Sequence, residues 1–284
     1  MRVDTRLRKR CAAYFVVLGV VCGQRAWADE DFAEKTAHGM INWTQHTLTV
    51  TGSGAPNLKA VSVAVARVGA ERGAKDDAQR RALEAIRDLH VDSKTTVADL
   101  LVDNAIKARL EGILRDVEVL DTRYYADGGV DVVVRVTLVG PLLDVLTGQK
   151  QTVVPQPAGE AQKRTPEQES TADDEGAEII VVAKGLGLRP ALVPRIFSEE
   201  GREIVGPAGR QPTAAHGFAT YTTSLEAAKK LSRVTDKPLI IKALRLAPSG
   251  GCDLVVTDAA AALLTEASTT FARRPLAIVI DASE

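Results

Sequence analysis

Cysteine, histidine and aromatic side chains are all scarce in this sequence, and each scarcity removes a class of function. Of three cysteines, Cys11 and Cys22 fall within the first 28 residues, so the remainder of the chain carries only Cys252. One thiol cannot form an intramolecular disulfide, and it reads as a small, partly buried side chain beside a strand. The four histidines, His38, His46, His90 and His216, are scattered, with no H-x-x-x-H or C-x-x-C spacing that would gather metal ligands. Beyond residue 28 the aromatic residues are Phe32, Trp43, Tyr124, Tyr125, Phe197, Phe218, Tyr221 and Phe271, too few for a stacking platform for sugars or single strands.

No apolar run is long enough to span a membrane. The only continuous one, Cys11 to Val21, follows Arg2, Arg6, Arg8, Lys9 and Arg10 and has the form of an export signal. Two processing sites compete. Ala26 and Ala28 around Trp27 make an A-x-A site, whereas Gly19, Val20 and Val21 before Cys22 do not match what lipoprotein processing prefers. Cleavage after Ala28 is therefore favoured over lipidation at Cys22, and the mature chain is expected in the periplasm. Losing residues 1–28 removes six basic groups and one acidic group, so the formal net charge moves from −1 to −6. A mildly acidic chain is a poor partner for nucleic acid or for anionic lipid.

Composition divides the mature chain. Residues 148–177 are rich in Pro, Gln, Glu, Lys and Ser and nearly free of large apolar side chains, so burial there cannot offset chain entropy. We read a flexible linker between a first domain over 29–147 and a second over 178–284. In the first, "HTLTVTGSGA" (46–55) alternates as a strand. A helix from Val61 to about Leu89 follows, its apolar face built from Val61, Val65, Val68, Ala78, Ala82, Ala85, Ile86 and Leu89. Ala64, Gly69, Ala70, Gly73 and Ala74 suit a close approach to a sheet. A short extended piece (90–97) precedes a second helix over about 99–113, with Val102, Ile106, Leu110 and Ile113 on one stripe and Asp99 in its first turn or cap. Residues 115–138 read as a hairpin turning at Asp127-Gly128-Gly129, with Val130, Val132, Val134, Val136 and Leu138 on one face and Asp131, Arg135 and Thr137 on the other. The order is β-α-(β)-α-β-β.

The second domain reads as strands over 177–185, 237–246, 252–257 and 275–281, a hairpin over 193–206 around Glu200-Gly201, a helix near 224–232, and an Ala-rich helix over 259–271 that Asp258 can cap. The fold class is thus α+β, two small mixed domains joined by a disordered linker.

Motifs for chemistry are missing. There is no G-x-S-x-G, P-loop or calcium-loop spacing, and "GLGLRP" (185–190) breaks the dinucleotide fingerprint at Arg189-Pro190. The acidic run Asp173-Asp174-Glu175 belongs to the linker, and Lys75, Arg80 and Arg81 to the wet face of the first helix. No catalytic, cofactor-binding or metal-binding residue is assigned, and no cofactor is expected. Tyr124 and Tyr125 must face opposite ways on a strand, which sends one of them off the core face and makes it a candidate subunit contact.

"TVTGSGAPN", the helix "ARVGAERGAKDDAQRRALEAI" with Ala66, Ala70, Ala74, Asp77 and Ala78, and the closing strand "GVDVVVRVTLVGPL" together resemble a family of small outer-membrane and periplasmic proteins. That family includes the flagellar lipoprotein FlgP and the N-terminal domain of FlgT, and the likeness covers about residues 44–143. It departs at Cys22, where a lipoprotein member should carry a good lipobox. The resemblance implies a non-enzymatic structural or assembly protein of the flagellar basal body or a related envelope complex. It would work through protein partners and self-association, with peripheral attachment to the outer membrane, and a solvent-facing or edge strand of the first domain would serve as contact surface. The alternative is a periplasmic module that binds a small anionic ligand or envelope polymer near Arg189, Arg195 and Arg210.

Overall fold

Strand alternation and a run of small residues shape the first half. The computed structural model describes residues 31–148, 179–207, 217–231, 238–271 and 276–281. The leader expected over 1–28, and all but Gly148 of the linker expected over 148–177, lie outside these. Strands β1 (Ala33–Lys35), β2 (Met40–Asn42), β3 (Thr47–Gly54), β4 (Glu118–Tyr124) and β5 (Val130–Thr137) form one antiparallel sheet in the order β1-β2-β3-β5-β4. On β5 the valines at 130, 132, 134 and 136 are buried and the intervening residues are not, as the alternation requires. The β4–β5 hairpin turns at Asp127-Gly128-Gly129, where Gly128 takes a positive φ of 88°. The two short strands ahead of β3 were not expected from the sequence.

Helix α1 (Val63–Arg87) lies across the sheet with Ala70, Ala74, Ala78, Ala82 and Ala85 as its buried face. The approach is closest at β3: a Cβ on Gly52 would sit 2.2 Å from the Ala74 carbonyl oxygen, and one on Gly54 would sit 1.9 Å from that of Ala70. The close contact expected from the helix is therefore real, but strand glycines meet helix alanines. Gly69 would meet nothing within 4 Å if given a Cβ, and Ala64 is exposed. The expected apolar face also starts too early, since Val61, Val65 and Val68 are all exposed. Val61 precedes the Ser62 cap and lies outside the helix, and periodicity cannot show that the sheet ends before the turns of Val65 and Val68 are reached.

The second predicted helix is two. Helix α2 (Val97–Leu100) opens with a capping box in which Thr96 and Asp99 satisfy each other's backbone N–H groups. Helix α3 (Asn104–Arg115) restarts at Asp103, whose carboxylate accepts from the Ala105 N–H at 2.7 Å. The break leaves Val102 exposed rather than on the stripe with Leu110. The expected extended piece is a single bridge between His90 and Thr96. Helix α4 (Pro141–Thr147) ends at Gly148, whose φ of 67° gives a left-handed C-cap.

The second half holds two sheets. Strands β6 (Ile179–Val182), β9 (Thr220–Thr222), β10 (Leu239–Lys242) and β13 (Leu276–Val279) form an all-parallel sheet in the order β10-β6-β13-β9. Strands β7 (Ile196–Phe197), β8 (Glu203–Val205), β11 (Arg245–Leu246) and β12 (Leu254–Val255) form the other, ordered β11-β12-β7-β8. The β7–β8 hairpin turns where expected, with Gly201 at φ 82°. Alternate residues of the parallel sheet serve different layers. Ile180, Ala277 and Val279 pack on Ala228 of helix α5 (Leu225–Leu231), while Ile179, Val181 and Ile278 enter the main core. Helix α6 (Asp258–Phe271) is preceded by Thr257, whose hydroxyl accepts from the Ala260 N–H. The capping role expected of Asp258 thus falls one residue earlier.

One buried cluster runs through both halves, from Phe32, Trp43 and Leu48 to Tyr221, Ile196 and Leu254. The α+β class holds, and the two halves meet across a packed boundary. No helix among the described residues is long and apolar enough to cross a membrane.

Candidate functional site

Two features outside the apolar core stand out, a buried polar junction and an open sheet edge. The junction forms where the loop after α1 meets β7 and β12. Backbone N–H groups of Leu192 and Val193 donate to the carbonyls of His90 and Val91 at 3.0 and 2.8 Å, setting the two chain segments side by side. Just beyond, Asp253 is fully buried. Its carboxylate accepts from the Arg195 guanidinium at 3.0 Å, the Arg195 N–H at 3.1 Å, the Ser249 hydroxyl at 3.1 Å and the Ser93 hydroxyl. Arg195 also donates to Ser93 at 2.9 Å and lies 5.7 Å from the centre of the Phe197 ring. Gly250, at φ 127°, lets the backbone pass the Ser93 carbonyl, which an added Cβ would meet at 2.7 Å.

A second set of bonds ties the halves further along. Thr44 Oγ1 donates to the Tyr221 carbonyl at 2.6 Å, His46 Nε2 lies 3.2 Å from Thr220 Oγ1, and Trp43 meets the Tyr221 ring edge-on. The Tyr221 hydroxyl accepts from and donates to the Ala191 backbone, and burial pushes its pKa far above the usual phenol value.

The junction joins Ser93 of the first half to Arg195 and Asp253 of the second. Asp253 receives four donors, which match the lone-pair sites of its two carboxylate oxygens. Cys252 beside it is buried, and burial, then the Asp253 charge, push its thiol up to about 11, which keeps it protonated at neutral pH. Among the described residues no three His, Cys, Asp or Glu side chains converge on one point. Of the three arginines named as an anion site, Arg195 is neutralised by Asp253, Arg189 sits against Gly251, and Arg210 lies outside the described residues. The Ser93–Arg195–Asp253 network was missed in the sequence because its members lie far apart in the chain and only the fold brings them together.

The edge is the reverse case. Among the described residues strand β4 pairs only with β5 and ends the sheet. Val119, Leu120, Tyr124 and Tyr125 are all exposed along it. The two tyrosines face opposite ways as expected: Tyr124 reaches Glu71 on α1 at 3.2 Å, and Tyr125 donates to Asp131 on the other face at 2.7 Å. The three basic residues of α1 read as its wet face are matched locally, Lys75 by Glu71 and both Arg80 and Arg81 by Asp77.

Residues 178–282 match the family model of the second domain of Treponema pallidum Tp0624. No curated protein matches the chain.

Proposed function

We propose that this chain is a non-enzymatic assembly protein of the cell envelope, exported to the periplasm and associated with the outer membrane through protein contacts. A place in the flagellar basal body or a related envelope complex follows from the resemblance of residues 44–143. The observation that carries the reading is the open β4 edge with its exposed Val119, Leu120, Tyr124 and Tyr125, in a chain whose buried charges serve to hold its halves together. An edge strand bearing exposed aromatic and aliphatic side chains suits association better than it suits turnover of a substrate.

Crosslinking in the envelope of the native host, followed by mass analysis, tests this. Crosslinked species that contain the chain joined to itself or to another envelope protein are expected. A chain that stays uncrosslinked there, and monomeric at high concentration after purification, would overturn the reading. The same samples settle export. An intact mass for a start at Asp29 supports cleavage after Ala28, and an acylated start at Cys22 would replace it with a lipid anchor.

A further inference from the structure

The edge of β4 has a self-complementary order of side chains. Its N-terminal end is blunted by a bulge, where the register against β5 shifts between Val119 and Asp121. The regular edge therefore runs from Asp121 to Tyr125. Tyr125 donates its N–H to the Gly129 carbonyl at 2.9 Å, so its backbone groups face β5, and alternation turns those of Thr122 and Tyr124 outward. Asp121 and Arg123 sit on the face away from α1, paired with each other at 2.8 Å and both exposed.

Two copies of one strand, related by a twofold axis, can pair antiparallel only in certain registers. Each residue must oppose one whose backbone groups point the same way, so the axis must pass through a residue and not between two. Centring on Asp121 sets that carboxylate against its own copy, and centring on Arg123 sets guanidinium against guanidinium; like charges directly opposite each other are unfavourable. Leu120 lies in the bulge, and Tyr124 would place the strand against the hairpin turn. Thr122 is left. In that register Asp121 of each copy opposes Arg123 of the other, so four charges alternate in sign.

We infer that the chain forms a twofold dimer by antiparallel pairing of β4 with β4 of a second copy, centred on Thr122. This rests on the assembly reading and specifies one of its contacts.

Charge exchange tests it on the full chain, expressed from its own start codon, recovered in mild detergent and measured by light scattering after size exclusion. The unaltered chain is expected to be dimeric. Asp121→Arg and Arg123→Asp each place like charges across the axis and should raise the dimer dissociation constant at least roughly tenfold. The double exchange D121R/R123D should restore the dimer, and so should a mixture of the two single variants, whose charges are unlike across the axis but still like within each chain, which a fold damaged by either single change would not do. If the unaltered chain is monomeric, or if it assembles equally well with either single exchange, the β4 pairing is overturned. In the second case the assembly reading survives through another surface, whereas loss of envelope crosslinks by the unaltered chain removes that reading too.

Discussion

Replacing Gly52 with alanine is the sharpest test of how α1 lies on the sheet. The added methyl would sit 2.2 Å from both the Ala74 carbonyl oxygen and the Ala78 nitrogen, and 2.6 Å from the Ala78 Cα. Ordinary contact begins near 3.4 Å, so α1 must retreat by about 1.2 Å, and since all three atoms are backbone no side chain can turn aside. A retreat of that size loosens the alanine face of α1 over β3 and β5, where Leu48, Val50, Val132 and Val134 are buried. Overpacking of this kind costs about 3 kcal/mol, roughly 6–12 °C in Tm for a chain of this length. Gly69→Ala is the matched control, because its methyl meets nothing within 4 Å in the interior of the same helix. It should instead stabilise by up to about 1 kcal/mol through helix propensity. Thermal unfolding followed by circular dichroism reads both. Equal shifts for the two variants, or an unchanged Tm for Gly52→Ala, would refute the close-approach argument.

Three further outcomes are expected. Asp253→Ala strands the Arg195 guanidinium without its counter-ion and should destabilise by about 3–5 kcal/mol in urea unfolding, while the double change R195M/D253L should recover most of that loss. The Cys252 peptide should stay unlabelled by iodoacetamide at pH 8 until the chain is unfolded, because its thiol is buried and protonated there. Burial alone would raise the Asp77 carboxyl, but the Ser53 N–H, Arg80 and Arg81 outweigh it and hold the group below the usual carboxylate range. Its folded form thus binds a proton less readily than its unfolded form, so its stabilisation is complete above about pH 4 and fades as the pH falls through the lower folded value. Asp77→Asn should therefore flatten the acid limb of the urea midpoint against pH.

The sequence was most informative where a local rule acts alone. The alternation of β5, the glycine turns at 128 and 201, and the Ala-rich face of α1 follow from period and φ preference, and each appears where expected. It was least informative where the decision depends on distant residues. Val65 and Val68 keep the helical period and still face solvent, because what decides their burial is how far the sheet extends beneath them. The split between α2 and α3 comes from two local caps, Thr96 and Asp103, that compete with a continuous apolar stripe. The Asp253 network unites residues more than 100 positions apart and has no spacing to read. Tyr124 and Tyr125, by contrast, could be placed on opposite faces from adjacency alone.

The placement of the two sheet edges bears on how far assembly through β4 can go. At the β1 end, Asp31 bridges to Thr222 of β9, and Thr44 bonds the Tyr221 carbonyl, so the second half of the chain is tied to that end of the sheet. Strand addition at both ends of a sheet would propagate into a fibre, but among the described residues the β1 end carries the ties to the second half of the chain and the β4 end carries none. Pairing at one end about a twofold axis uses that edge in both copies and leaves no β4 edge to add to. Assembly through β4 should therefore stop at two chains, and light scattering should show a single step from monomer to dimer with concentration rather than a ladder. A ladder would mean that a different, head-to-tail surface does the joining.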